Sequence, residues 1–189
     1  MNDKLTKRLF KKYPKIFRDN DKSPMQSLMC FGCDCGNGWY HILNALCAAI
    51  TRPFRGSCVA EEEMSKWEKG EKTIGFKYVF PQVLATQVKE KYGRLVFYYS
   101  YENSKEFIRQ SKRFPMTAKI LNREFSSYID GVIRMAEVMS EITCEECGNT
   151  GEMCVSGAWY QTLCSEHARK HGFIPIRKVK QSRRKYAAT

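Results

Sequence analysis

The sequence predicts an α+β protein: helices packed on a small antiparallel sheet, followed by a C-terminal treble-clef-like finger stapled by its own side chains. Three observations predict it. Apolar residues recur at helical spacing before residue 51 and again over residues 117–142. The stretch between, residues 73–101, is rich in β-branched and aromatic residues. Four Cys and His residues then stand as two close pairs, Cys144/Cys147 and Cys164/His167.

Taken in order, Leu5, Leu9, Phe10, Tyr13 and Phe17 form the apolar stripe of an opening helix that Pro14 ends or kinks. Such a stripe is expected to face the protein's own core. A second helix opens at Gly38-Trp39, with Trp39, Ile42, Leu43, Leu46, Cys47 and Ile50 inward, and Tyr40, Asn44 and Thr51 off that face. Asn37 is placed to cap it. Met64 and Trp67 mark a short helix between Ala60 and Lys69. Strands are expected over residues 73–80, 83–89 and 94–101, with Lys91-Tyr92-Gly93 as the turn of a meander. In the last strand Leu95, Phe97 and Tyr99 share one face and Val96, Tyr98 and Ser100 the other. A second helical layer is expected over the outer face; left bare, its aromatics beside Lys89, Lys91 and Arg94 would be suited to stacking bases. Residues 103–113 form a modest helix, broken at Phe114-Pro115, and Thr117 to Ile142 form the longest, with Phe125, Ile129, Val132, Ile133, Ala136 and Met139 inward. Gly131 inside it implies close packing or a break.

The two ligand pairs are Cys-x2-Cys and Cys-x2-His across sixteen residues. Thiolate and imidazole at this spacing suit one structural, tetrahedral Zn²⁺. The spacer reads as a polar turn from Gly148 to Gly151 and two short strands split at Ser156-Gly157, and the second pair opens a helix. Tight turn, hairpin and helix in that order make a treble clef. Three segments result: a body over 1–143, a finger over 144–175 and a basic tail over 176–189. A closed Cys3His site leaves no position for substrate, so the metal would contribute folding energy rather than chemistry. Cys30, Cys33 and Cys35 raise a second metal site, completed by Cys47, Cys58 or His41, against burial as ordinary core thiols.

The net charge is +12, from 32 Lys and Arg against 20 Asp and Glu. Attraction to polyanions follows. Basic residues gather at Lys4, Lys7, Arg8, Lys11, Lys12, Lys15 and Arg18, and in the tail at Arg177, Lys178, Lys180, Arg183, Arg184 and Lys185, with Arg169 and Lys170 on the finger helix. The tail cations are the candidate phosphate contacts. No apolar run is long enough to cross a membrane, and no leader is evident, so nine cysteines are expected reduced in a cytoplasmic setting. No catalytic set is legible. Cys35 and His41 lack an orienting third residue, and a His-Asn-His nuclease would want a histidine where Trp159 and Tyr160 stand. The leading reading is a non-enzymatic zinc protein that binds nucleic acid. A protein-binding inhibitor or adaptor acting on a host enzyme is the alternative, and a metal-dependent nuclease the third.

Three strings, Cys35-Gly-Asn-Gly-Trp-Tyr-His-Ile-Leu43, Gln87-Val-Lys-Glu-Lys-Tyr-Gly-Arg-Leu-Val-Phe-Tyr98, and Ala136-Glu137 ahead of Cys144-Glu-Glu-Cys-Gly148 with Trp159 to His167, resemble a group of small bacteriophage and prophage proteins. The resemblance implies a phage or mobile-element origin, and a role in takeover, DNA metabolism or counter-defence inside an infected bacterial host. The basic N- and C-terminal extensions depart from the group's pattern.

Overall fold

A computed structural model of the chain describes residues 1–52 and 78–179. Cys58, the helix expected over 60–69, the first five residues of the strand expected over 73–80, and Lys180, Arg183, Arg184 and Lys185 lie outside the described residues. Helix α1 (Asp3–Lys12) starts at Asn2, whose Oδ1 accepts from the Leu5 amide at 2.9 Å, and stops at Tyr13, one residue before Pro14. Its stripe does face the core: Leu9, Tyr13, Ile16 and Phe17 are buried. Beyond it the Ile16 carbonyl accepts from the Ala85 amide at 2.9 Å, which ties this segment to the sheet.

Strand β1 (Cys33–Asp34) and a single 3-10 turn over Asn37–Trp39 lead into α2 (Tyr40–Thr51). All six residues expected inward on α2 are buried. Tyr40, expected off that face, is buried too, with the Arg8 guanidinium 5.8 Å from its ring centre. Asn37 does not cap the helix; its Oδ1 accepts from the Asn2 amide at 2.8 Å, because the intervening turn moves the helix start to Tyr40.

Strands β2 (Gln82–Lys91) and β3 (Arg94–Glu102) form an antiparallel hairpin whose two-residue turn has Tyr92 at φ 54° and Gly93 at φ 79°. Positive φ at both positions matches the right-handed twist of the strands. The sheet order is β1-β2-β3, and β1 runs parallel to β2 with Cys33 opposite Val88. The expected antiparallel meander is therefore a mixed sheet. Two residues carry no alternation pattern, and residues 78–80 belong to no strand.

Helix α3 (Lys105–Arg113) is capped by Ser104, and α4 (Pro115–Ser140) begins at once, because Pro115 is tolerated in a first helical turn. Phe125, Ile129, Ile133 and Ala136 are buried as expected, whereas Met139 is exposed. Gly131 marks neither close packing nor a break: α4 runs through it, and a Cβ there would meet nothing within 4 Å. One apolar core joins α1, α2, the inner face of β2–β3 and α4. Tyr128 Oη donates to the Ala49 carbonyl at 3.0 Å and so links α4 to α2.

The C-terminal part contains β4 (Glu152–Ser156), β5 (Trp159–Leu163), α5 (Ser165–Lys170) and β6 (Ile174–Pro175), in sheet order β5-β4-β6. Its own core is small: Cys144, Cys154, Leu163 and Ala168, with Phe173 packed against them. Among the described residues no helix is long and apolar enough to cross a membrane.

Candidate metal centre

Cys144 and Cys147 lie on the turn that follows α4, where the Gly148 amide donates to the Cys144 carbonyl at 2.9 Å and Gly148 takes φ 77°. Cys164 is the residue before α5, and His167 sits in that helix's first turn. The hairpin brings the two pairs face to face. The four ligand atoms all lie within 4.8 Å of one another, so Cys144, Cys147, Cys164 and His167 can hold a metal ion. His167 offers Nδ1, which stands 3.1 Å from Cys164 Sγ and 3.5 Å from Cys144 Sγ, while Cys147 and Cys164 are 3.9 Å apart at sulfur. Cys144 is fully buried and Cys147 exposed, so the site is anchored on one side and open to solvent on the other. The His167 backbone amide and imidazole hold the Cys164 thiol down to about 7, toward the thiolate a metal needs.

Sequence reasoning missed Glu146. Its carboxylate faces His167 Nε2 at 3.4 Å and His171 Nε2 at 2.7 Å, with the two imidazoles stacked 6.4 Å apart. A carboxylate on the outer nitrogen of a ligating histidine fixes its tautomer and orientation. His171 thus supports the centre through Glu146 instead of joining it. The pattern Cys-Glu-Glu-Cys contained the signal, since a residue between two knuckle cysteines has few other places to point.

Glu145 was missed as well. Its side chain is buried, Oε1 accepts from the Gly36 amide at 2.9 Å, and Oε2 has no hydrogen-bond partner among the described residues. Burial raises this carboxyl to about 7. It belongs to a joint between body and finger. The Gly38 amide donates to the Glu145 carbonyl at 2.7 Å, Trp39 Nε1 to the Thr143 carbonyl at 2.8 Å, and Thr162 Oγ1 to the Gly93 carbonyl at 2.5 Å. Cβ atoms on Gly36 or Gly38 would overlap the backbone of Glu145 or Cys144.

The other sequence candidates are not assembled. Cys33, Cys35 and Cys47 are buried core residues; burial lifts the Cys33 thiol to about 12 and the other two higher still. Among the described residues they form no metal-holding cluster with Cys30 or His41. Cys35 cannot serve as a nucleophile for exposed His41, because burial favours its thiol over its thiolate. In the tail, Arg177 is held by Glu152 through Nε at 2.6 Å and Nη2 at 3.0 Å, a bidentate pair that competes with phosphate. Lys178, Arg169 and Lys170 are exposed.

Comparison with protein-family models, with curated proteins and with solved structures found no match. The site's own geometry therefore carries the functional reading.

Proposed function

We propose that this is a zinc-stapled, non-enzymatic protein that binds nucleic acid, with one structural Zn²⁺ on Cys144, Cys147, Cys164 and His167 and the basic face of α1 as its main phosphate-contacting surface. A tetrahedral zinc with three thiolates and one imidazole has sulfur–sulfur edges of about 3.8 Å and sulfur–nitrogen edges of about 3.6 Å, from its bond lengths of about 2.3 and 2.1 Å. The 3.9, 3.5 and 3.1 Å separations support that fit. Knuckle, hairpin and helix in this order are consistent with a treble clef. Zinc there would hold the finger closed.

The observation that carries nucleic-acid binding is α1. Its apolar side is committed to the core, while Lys4, Lys7, Arg8 and Lys11 are exposed on the opposite side, followed by Lys12 and Lys15. Among the described residues none of these six pairs with a carboxylate. A row of unneutralised cations on a rigid helix suits a phosphate backbone, and it would bind with little sequence preference. The tail cations beyond residue 179 would add to the same electrostatic attraction. In the phage setting that the sequence resemblance implies, the ligand would be viral or host DNA or RNA. Titration of labelled oligonucleotides tests this: the Lys4→Glu, Lys7→Glu, Lys11→Glu triple variant should lose binding, and affinity should fall steeply between about 50 and 200 mM salt. Affinity indifferent to both overturns it.

One surface favours the adaptor alternative. Met135, Val138, Met139 and Ile142 are exposed, three to four residues apart along α4 and the turn after it, the pattern by which a helix presents apolar anchors to a protein groove. Recovery of a host protein from nuclease-treated lysate by the wild type, and not by a Met135→Asp, Val138→Asp variant, would favour that role.

A further inference from the structure

The outer face of the β2–β3 hairpin is open at its basic, aromatic end. Cross-strand pairs Gln87 with Tyr98, Lys89 with Val96, and Lys91 with Arg94 put these six side chains on one face, opposite the side that buries Val88, Leu95 and Phe97. The helical layer expected there does not cover Tyr98, which remains 39% exposed. Lys89 Nζ lies 5.7 Å from the centre of the Tyr98 ring, and at the turn Lys91 Nζ lies 5.9 Å from the ring of Tyr92, itself 69% exposed. Each ring is thus flanked by a cation. Two carboxylates border the patch: Asp34 is opposite Lys89 in the β1 register, and Glu141 reaches Arg94 at 3.8 Å. Lys89 and Lys91 themselves enter no ion pair among the described residues.

We propose that this face is a binding platform for single-stranded nucleic acid, on which Tyr98 stacks a base and Lys89 and Lys91 contact the phosphates on either side. The inference rests on the nucleic-acid reading above and deepens it, because it names the strandedness of the ligand. A duplex hides its base faces in the stack, so an exposed ring discriminates in favour of unpaired bases, whereas the cations of α1 do not. Stacking on a tyrosine also tolerates any base, which matches the absence on this face of a convergent set of hydrogen-bonding side chains that would select one.

The test uses the full chain and fluorescence anisotropy with a labelled thymidine oligonucleotide, a labelled uridine oligonucleotide and a labelled duplex of equal length. Tyr98→Leu should weaken binding of both single strands about tenfold or more and leave the duplex within about twofold, while Tyr98→Phe keeps wild-type affinity. Replacing Lys89 and Lys91 with glutamine should reduce the salt slope on single strands by about two counterions. Unchanged single-strand affinity in Tyr98→Leu, or equal loss on strand and duplex, overturns the platform while leaving the α1 surface standing. A wild type that binds neither strand nor duplex overturns the parent reading and this one together.

Discussion

At the scale of single residues, the joint between body and finger is set by atoms that are missing. Gly36 and Gly38 allow the strand-to-helix corner of the body to touch the backbone of Glu145 and Cys144, and the hydrogen bonds at 2.7 and 2.9 Å form only at that approach. Gly38→Ala should therefore destabilise the protein by about 3 kcal/mol or more in thermal or urea unfolding, since backbone lies on the other side and cannot move aside as a side chain can. Gly131 supplies the contrast. It lies mid-helix with open space where a Cβ would stand, so Gly131→Ala should stabilise by about 0.5–1 kcal/mol, read as a melting temperature higher by about 2–3 °C. A loss of stability there would mean that something covers this face of α4. The sequence marks both glycines equally; only the fold separates one that is required from one that is merely tolerated.

At the scale of elements, the long periodic segments were legible and the short ones were not. Helix α4 was placed to within two residues at each end because its apolar residues repeat over many turns, and the β2–β3 hairpin because its strands are aromatic and its turn ends in glycine. Strand β1 escaped notice because two residues in a cysteine-rich loop form no pattern, and their parallel pairing depends on a partner far along the chain. The four-residue cluster was legible from spacing alone, which is local to each pair. Its surroundings were not: Glu145 meets Gly36 across 109 residues of chain, and the Glu146–His171 contact requires the turn and α5 to be already face to face. Glu146→Gln keeps the shape but removes the charge on His167, so metal affinity should fall about 10–100-fold in competition with a chelating dye. An unchanged affinity would reduce the contact to a surface ion pair. Acidification should release the metal as well, because protons compete for the thiolates and for His167.

At the scale of the whole molecule, the three strings singled out by resemblance converge on one place. The Gly36–Trp39 corner, the Tyr92-Gly93 turn and the Cys144–Gly148 knuckle all meet at the joint, with Trp39 bonded to Thr143 and Gly93 to Thr162. Their shared role is to dock the finger on the body. The finger's own core of four buried residues is too small to hold it closed without ligation. Metal removal should thus loosen residues 144–175 first, seen as faster amide exchange there, while the core under α2 and α4 stays protected. Uniform loosening of the whole chain would show instead that body and finger unfold as one. The most direct test of the account is elemental analysis of the purified full chain beside its Cys144→Ser, Cys164→Ser variant. One zinc per chain in the wild type and none in the variant is the predicted result; no zinc in the wild type, or zinc retained by the variant, would contradict it.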